Sequence, residues 1–311
     1  MQSELKRKQM LNQYFKSVEE YFEFYGLGFE GVEHRFVEFQ SAGFELVGQV
    51  WVPKEYKATI IIVHGFLGHC GTFGKFIKFM LDNRFAVAAF DLPGHGLSSG
   101  EKTAIDDFEQ YSLALKEFLK IIKEQMRGPY HIIGHSMGSA VVMDYMTNCK
   151  INLPIAYAQG SETTFNKVIL AAPLVKCTLW KLCKIGYFIY RPFGKNIFRC
   201  FHNISSDKEY VKFLKYRDPL QAKSISMNWV NAMFKWEKKI KNICNIDKPV
   251  LVIQGTNDTT VAWKHNLKFI QSKFKNAEIE FVEHAQHEFF NEVKKYRDEV
   301  FAAIIEYFNS H

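Results

Sequence analysis

Short apolar runs and longer amphipathic stretches alternate along most of this chain. Two early runs, "HRFVEFQ" (34–40) and "FELVGQVWV" (44–52), read as strands joined by a turn at Ser41-Ala42-Gly43. Six more follow, each closing in turn residues: "TIIIVHG", "FAVAAFDLPG", "YHIIGHS", "KVILAAP", "PVLVIQG" and "EIEFVEH". Most are rich in Val, Ile and Ala and lack polar alternation, as strands buried on both faces do. Helical patterns separate several of them, among them "GKFIKFMLDN" and "DDFEQYSLALKEFLKIIKEQM", and a last helix is predicted near "VFAAIIEYFNS". Strand alternating with helix predicts an α/β fold, a mostly parallel sheet of about eight strands with helices on both faces.

One interval breaks the rhythm. Between "KVILAAP" and "PVLVIQG" lie 75 residues, far more than a helical connection of roughly 10–15 residues requires. Aromatics collect there, among them Trp180, Tyr187, Phe193, Phe201, Trp229 and Trp236. We read 174–240 as an inserted, mainly helical cap, 26–173 with 241–311 as the core, and 1–25 as a helical lead-in. The plain alternative for the cap is a pair of surface helices.

Charge sharpens this picture. The 311-residue chain carries a net +7. Residues 174–240 hold 14 Lys and Arg against four Asp and Glu, so +10, which leaves −3 for the rest. A basic, aromatic segment suits an anionic membrane surface; lysines snorkelling from a packed helix are the alternative. Nothing points to nucleic acid. At 47% hydrophobic the chain has enough apolar residues for a sizeable core. Its six cysteines form no Cys-x-x-Cys pair and no metal-ligand spacing. The start, "MQSELKRKQMLNQYF", lacks an apolar stretch of signal-peptide length, and no run is apolar enough to span a bilayer. The expectation is a cytoplasmic protein with free thiols and no cofactor.

The candidate chemistry centres on Gly134-His135-Ser136-Met137-Gly138, which follows a buried-strand pattern and opens a helical one. That context is what a nucleophile elbow needs. The elbow would lift the Ser136 hydroxyl clear of the sheet and set the Met137 amide, at the helix start, toward a developing oxyanion. The alternative is a glycine-framed turn without chemistry. A serine needs a base, and His287 lies on the loop after the last strand pattern, where the order Ser…Asp…His puts it. His284 competes, but directly continues the strand. "HEFFN" is not a His-Glu-x-x-His zinc pattern. Asp258, in the loop after "PVLVIQG", would orient the imidazole from the same rim of the sheet; alternatively it is a turn residue. No acid immediately follows "KVILAAP" to compete with it. Phe66, after His64-Gly65, is placed to supply the second oxyanion amide. We read His64 and His95 as braces of their loops, and His34, His131, His202 and His265 as structural.

Together "HGF", "DLPGHGLSSG", "GHSMG", the Asp-x-x-Val of "NDTTV" and "HEFFNE" resemble the α/β-hydrolase superfamily over about residues 30–308. They look most like its lysophospholipase and monoacylglycerol lipase branch, also labelled serine aminopeptidase-like. The resemblance implies an α/β-hydrolase fold, Ser136 as nucleophile, His287 as base, Asp258 as orienting acid, and Phe66 and Met137 as oxyanion amides. It also implies hydrolysis of lipid carboxylic esters, lysophospholipid or monoacylglycerol, through an acyl-enzyme. Peptidase, acyltransferase and non-catalytic binding protein are the alternatives. Two departures stand out. Ser139 replaces a glycine frequent after the elbow, and "HGFLGH" lacks the glycine and glutamate common in monoacylglycerol lipases, which bears on headgroup recognition more than on hydrolysis.

Overall fold

The computed structural model describes residues 7, 11–151, 165–199 and 204–310, with backbone alone at 148–151. Residues 1–6 and 8–10 of the expected lead-in, Phe201 and His202 of the expected cap, and Cys200 lie outside the described residues, as does the side chain of Cys149. Cys70, Cys177, Cys183 and Cys244 are free thiols.

Eight strands form one sheet in the order β1-β2-β4-β3-β5-β6-β9-β10. They are β1 Val32–Ser41, β2 Phe44–Pro53, β3 Ala58–Val63, β4 Phe85–Phe90, β5 Tyr130–His135, β6 Lys167–Ala171, β9 Val250–Gly255 and β10 Ala277–Val282. All eight correspond to the apolar runs. β1–β2 and β2–β4 are antiparallel and every other pairing is parallel. Ala42 and Gly43 both have positive φ, 50° and 85°. That twists the two-residue turn to match the flanking strands.

β3, β4 and β9 are buried at every position. Helices on both faces explain this. In β3, Ile61 and Val63 join the core formed with helices Glu109–Gln125 and Met137–Ile151. Ile60 and Ile62 face the other way, toward helices Gly74–Asp82 and Lys294–Asn309. The two-residue strand period thus feeds two cores from one strand. The last helix starts at Lys294, earlier than its apolar pattern suggests, because its first turn is charged.

Two helices of the 174–240 segment, Trp180–Tyr190 and Met227–Ile240, are joined through shorter elements. These include the paired strands β7 Asn196–Phe198 and β8 Ser224–Ser226, which the sequence reading did not anticipate. Several contacts tie the segment down. Trp236 Nε1 donates to Asp144 at 3.0 Å; within the segment itself Lys176 and Lys184, with Lys241 just past its end, surround the buried Glu237 carboxylate. Asp218 accepts from Tyr25 Oη at 2.7 Å and lies 3.0 Å from His69 Nε2. Burial opposes charge on both His69 and Asp218, but their mutual attraction outweighs it, raising the His69 pKa and lowering that of Asp218. Among the described residues no helix is long and apolar enough to cross a membrane.

Candidate active site

From β3 the chain moves to β4 on one side, and from β5 to β6 on the other. The crevice at the carboxyl ends of β3 and β5 is therefore the topological switch point, where ligands bind in open α/β sheets. Val63 pairs with Gly134, so the two strands end level. Loops after β3, β5, β9 and β10 carry Phe66, Ser136, Asp258 and His287 to this rim.

Ser136 joins β5 to the helix Met137–Ile151 with φ +53°, a conformation that is costly for a residue with a Cβ. The flanking glycines answer a steric demand. A Cβ on Gly134 would meet the Gly138 carbonyl at 2.6 Å, and one on Gly138 would overlap the Val63 carbonyl oxygen. Ser139 spans the elbow from inside, its Oγ donating to the Gly134 carbonyl at 2.6 Å. The Ser136 amide donates to the Ala171 carbonyl at 2.8 Å. These bonds hold the turn against its strain.

His287 Nε2 lies 2.9 Å from Ser136 Oγ, and His287 Nδ1 lies 2.8 Å from Asp258 Oδ2. A carboxylate only accepts, so Nδ1 carries the ring proton and Nε2 is left to accept from the serine hydroxyl. Asp258 is itself held. Its Oδ1 accepts from the amides of Thr260 and Val261 (2.8 and 3.2 Å), and Gln254 Nε2 donates to its Oδ2 at 3.3 Å. Burial alone would raise the Asp258 pKa, but His287 and those two amides outweigh it, and the pKa is lowered. Burial would likewise lower His287. The Asp258 charge and hydrogen bond outweigh that too, with Glu288 adding to them, and the pKa is raised. His135 Nε2 lies 2.9 Å from the His287 carbonyl oxygen and braces it from below.

Met137 is the first residue of its helix, so its amide is among those a helix leaves without an intrahelical acceptor. Phe66 follows Gly65, whose Cβ, were there one, would lie 3.2 Å from that of Ser136. The Phe66 ring stacks on Trp229 of the 174–240 segment (centroids 3.6 Å apart), and Trp229 Nε1 donates to Met137 Sδ at 3.2 Å. One tryptophan thus touches both candidate oxyanion residues.

His34, His64, His95, His131 and His284 lie apart from this relay. His284 is exposed in the turn after β10, with φ +65°, and its amide donates to Thr256. His64 bridges two loops, with Nε2 accepting from the Leu92 amide at 2.9 Å; burial pushes its pKa down to about 3. His95 lies 2.9 Å from the Pro93 carbonyl, and burial takes it down to about 4. His34 lies 3.2 Å from Gln49, and His131 stacks on Phe308. The sequence reading missed Arg199, Tyr210, Gln221 and Glu288, which line the cavity beside Phe66 and His135. Only Glu288 carried a signal, its place next to His287.

Residues 54–294 match the family described as serine aminopeptidase, S33. The chain is 27% identical to a monoglyceride lipase homolog of Monkeypox virus, over 82% of this chain and 90% of that protein. It is 24% identical to a probable lysophospholipase L2 of Haemophilus influenzae, over 72% and 75%. A soluble variant of monoglyceride lipase from Saccharomyces cerevisiae, crystallised with a substrate analog, superposes with a TM-score of 0.73 at 20% identity, over 91% and 96% of the two chains. An elbow serine at the switch point of an eight-stranded sheet and a family match over most of the chain agree: this chain belongs to the serine aminopeptidase, S33, family and has the α/β-hydrolase fold.

Proposed function

We propose that the protein hydrolyses carboxylic esters of lipids through an acyl-enzyme on Ser136. The observation that carries this is the unbroken relay Asp258–His287–Ser136, with spacings of 2.8 and 2.9 Å. Ser136 Oγ attacks the ester carbonyl as His287 Nε2 takes its proton. The carbonyl oxygen becomes an oxyanion held by the Phe66 and Met137 amides. Collapse expels the alcohol, which takes the proton back from His287. Water then repeats the sequence, with His287 again as base, and releases the fatty acid. Asp258 stays ionised and stabilises the imidazolium.

Lipid substrates are favoured by the names of the relatives, monoglyceride lipase and lysophospholipase, and by the aromatic roof around Trp229. We propose further that the 174–240 segment caps the site and rests on an anionic lipid surface. Helix Trp180–Tyr190 buries only Tyr187 and exposes Leu182, Ile185, Phe188 and Ile189; Phe193 and Phe198 beyond it are 83% and 87% exposed. Exposed Lys181, Arg191 and Lys195 flank this apolar face, the composition of an interfacial segment.

Peptide hydrolysis is the second reading, on the strength of the family description. Wild type and Ser136→Ala assayed on monoacylglycerols, lysophospholipids, p-nitrophenyl esters and dipeptide amides separate the two. Ester turnover lost in Ser136→Ala is expected. Dipeptide-amide turnover above ester turnover, or ester turnover surviving the substitution, would overturn the proposal.

A further inference from the structure

Two thiols of the 174–240 segment, used by no step of the proposed reaction, face each other. Cys177 Sγ and Cys183 Sγ lie 3.6 Å apart. Cys177 is half-buried in the chain that follows β6, and Cys183 is exposed near the start of helix Trp180–Tyr190. They are six residues apart in sequence, and a tight turn brings them together. Leu179 takes φ +59°, and the Cys183 amide donates to the Leu179 carbonyl at 3.0 Å. A disulfide bond is about 2.05 Å long, so the sulfurs need to close by about 1.5 Å. Small side-chain rotations and a shift of an exposed helix start supply that. The two sulfurs are chemically unequal. The Cys177 thiol donates to Cys183 Sγ, which brings the Cys183 pKa down to about 7 and pushes that of Cys177 up. The thiolate, which is the nucleophilic form, is therefore the sulfur open to solvent, with a second thiol behind it. Cys70, by contrast, is buried, and burial and Asp91 push its pKa up.

The pair joins two elements of opposite character. Cys177 is strapped to the loop that holds Asp258. It bridges Val261 in antiparallel register. On either side of it the Thr178 amide donates to the Thr260 carbonyl at 3.0 Å, and the Ala262 amide donates to the Lys176 carbonyl at 2.9 Å. Thr260 and Val261 are the residues whose amides hold Asp258 Oδ1. Asn266 fastens the same strip, accepting from the Lys176 amide and donating to the Lys176 and Pro173 carbonyls, each at 3.0 Å. Cys183 instead rides on a helix that buries only Tyr187, exposes Leu182, Ile185, Phe188 and Ile189, and has no side-chain cap at its start. A bond between the two sulfurs fixes the start of that helix to the Asp258 loop.

We propose that Cys177 and Cys183 form a reversible disulfide that staples helix Trp180–Tyr190 to the Asp258 loop, with a peroxide as oxidant and a dithiol as reductant. The Cys183 thiolate attacks one oxygen of hydrogen peroxide. The O–O bond breaks, hydroxide leaves, and Cys183 becomes a sulfenic acid. The Cys177 sulfur then attacks the Cys183 sulfur. The S–S bond forms, the S–O bond breaks, and the hydroxyl leaves as water with the Cys177 proton. The hydroxide takes up the proton that Cys183 had released, so two thiols lose two electrons and peroxide gains them as two waters. A dithiol reverses the bond by exchange. The staple restrains the helix that carries the exposed apolar face, so the oxidised form is the slower one on lipid held in vesicles. That consequence rests on the reading of Ser136 as nucleophile; the disulfide does not.

The test treats the reduced protein with hydrogen peroxide, digests it with trypsin without reduction and maps it by mass spectrometry. The expected product joins the peptides on either side of Lys181 through Cys177 and Cys183. In Cys177→Ser, dimedone should capture Cys183 as the sulfenic acid; in Cys183→Ser neither the link nor a dimedone adduct on Cys177 should form. Turnover of a monoacylglycerol in vesicles is expected to fall severalfold in oxidised wild type, to return with dithiothreitol, and to withstand peroxide in Cys183→Ser. Turnover of p-nitrophenyl acetate should stay unchanged throughout. No link between the two cysteines, a link from either to another cysteine, or a dimedone adduct on Cys177 and not on Cys183 overturns the dithiol. A link that leaves lipid turnover unchanged, or that slows both esters alike, overturns the staple. If Cys177→Ser does not fold, the wild-type map and the exposed Cys183→Ser carry the test. Absence of ester turnover in the reduced protein would instead strike the reading of Ser136, and the peptide map would still decide the pair.

Discussion

Replacing Asp258 with asparagine probes the relay at its buried end. The substitution keeps the size of the side chain and an oxygen for the Thr260 and Val261 amides, but removes the charge facing His287. With charge centres about 4 Å apart and an effective dielectric near 20, that attraction is about 4 kcal/mol. In the proposed reaction it acts on the imidazolium that forms as Ser136 attacks. Its loss alone lowers the rate by roughly 10³. The amide also no longer forces the proton onto Nδ1, so the ring can present N–H to Ser136; this takes the loss toward the roughly 10⁴ known for the equivalent change in a serine protease. The assay is kcat/KM on a p-nitrophenyl ester against pH, with a thermal melt as a folding control. As the proposed base His287 must be neutral, and its pKa in wild type is raised above the usual 6.5. Activity should therefore rise with pH through an inflection above 6.5. In Asp258→Asn the residual activity should rise at lower pH, because burial then acts on His287 without the opposing charge. A folded Asp258→Asn within tenfold of wild type would refute the reasoning.

Other consequences follow from the same contacts. Gly138→Ala drives a methyl group into the Val63 carbonyl, and should cost about 3 kcal/mol or more, read as a lower urea midpoint or as failure to fold. Trp236→Phe leaves Asp144 Oδ1 without the indole donor; the expected loss is about 1–3 kcal/mol by urea titration, with the ester KM little changed. Reversing the charge of Lys181, Arg191 and Lys195 together should weaken binding to vesicles containing anionic lipid by several kcal/mol, at about 1 kcal/mol for each charge removed. Unaltered sedimentation with such vesicles would remove the membrane proposal and leave the Ser136 chemistry standing.

Much of the fold was legible because its strands are buried on both faces. "TIIIVHG" and "FAVAAFDLPG" have no polar alternation because helices cover each side of β3 and β4. The elbow was legible for a related reason: two glycines and a serine between a buried strand and a helix have few other uses. His287 was favoured over His284 on the ground that His284 continues the strand. In fact β10 stops at Val282, and His284 turns outward at a positive φ. His287, not His284, is the histidine that lies beside Ser136, and the strand's early end, not its continuation, is what sets His284 aside. The 174–240 segment was the least legible part. Residues Asn196–Phe198 are exposed on both faces, so no periodicity announces a strand. Arg199, Gln221 and Glu288 meet only because three distant segments converge, and no local pattern encodes such a meeting. The His69–Asp218 pair, 149 residues apart in sequence, was hidden in the same way.

The central claim is a covalent acyl-enzyme on Ser136. Rapid acid quenching of wild type mixed with a p-nitrophenyl ester, followed by mass spectrometry of the digested protein, tests it directly. The account predicts the acyl mass on the peptide carrying Ser136, formed with the first burst of nitrophenol and absent from Ser136→Ala. Turnover with no adduct on that peptide, or an adduct on another residue that forms and decays at the rate of turnover, would contradict it.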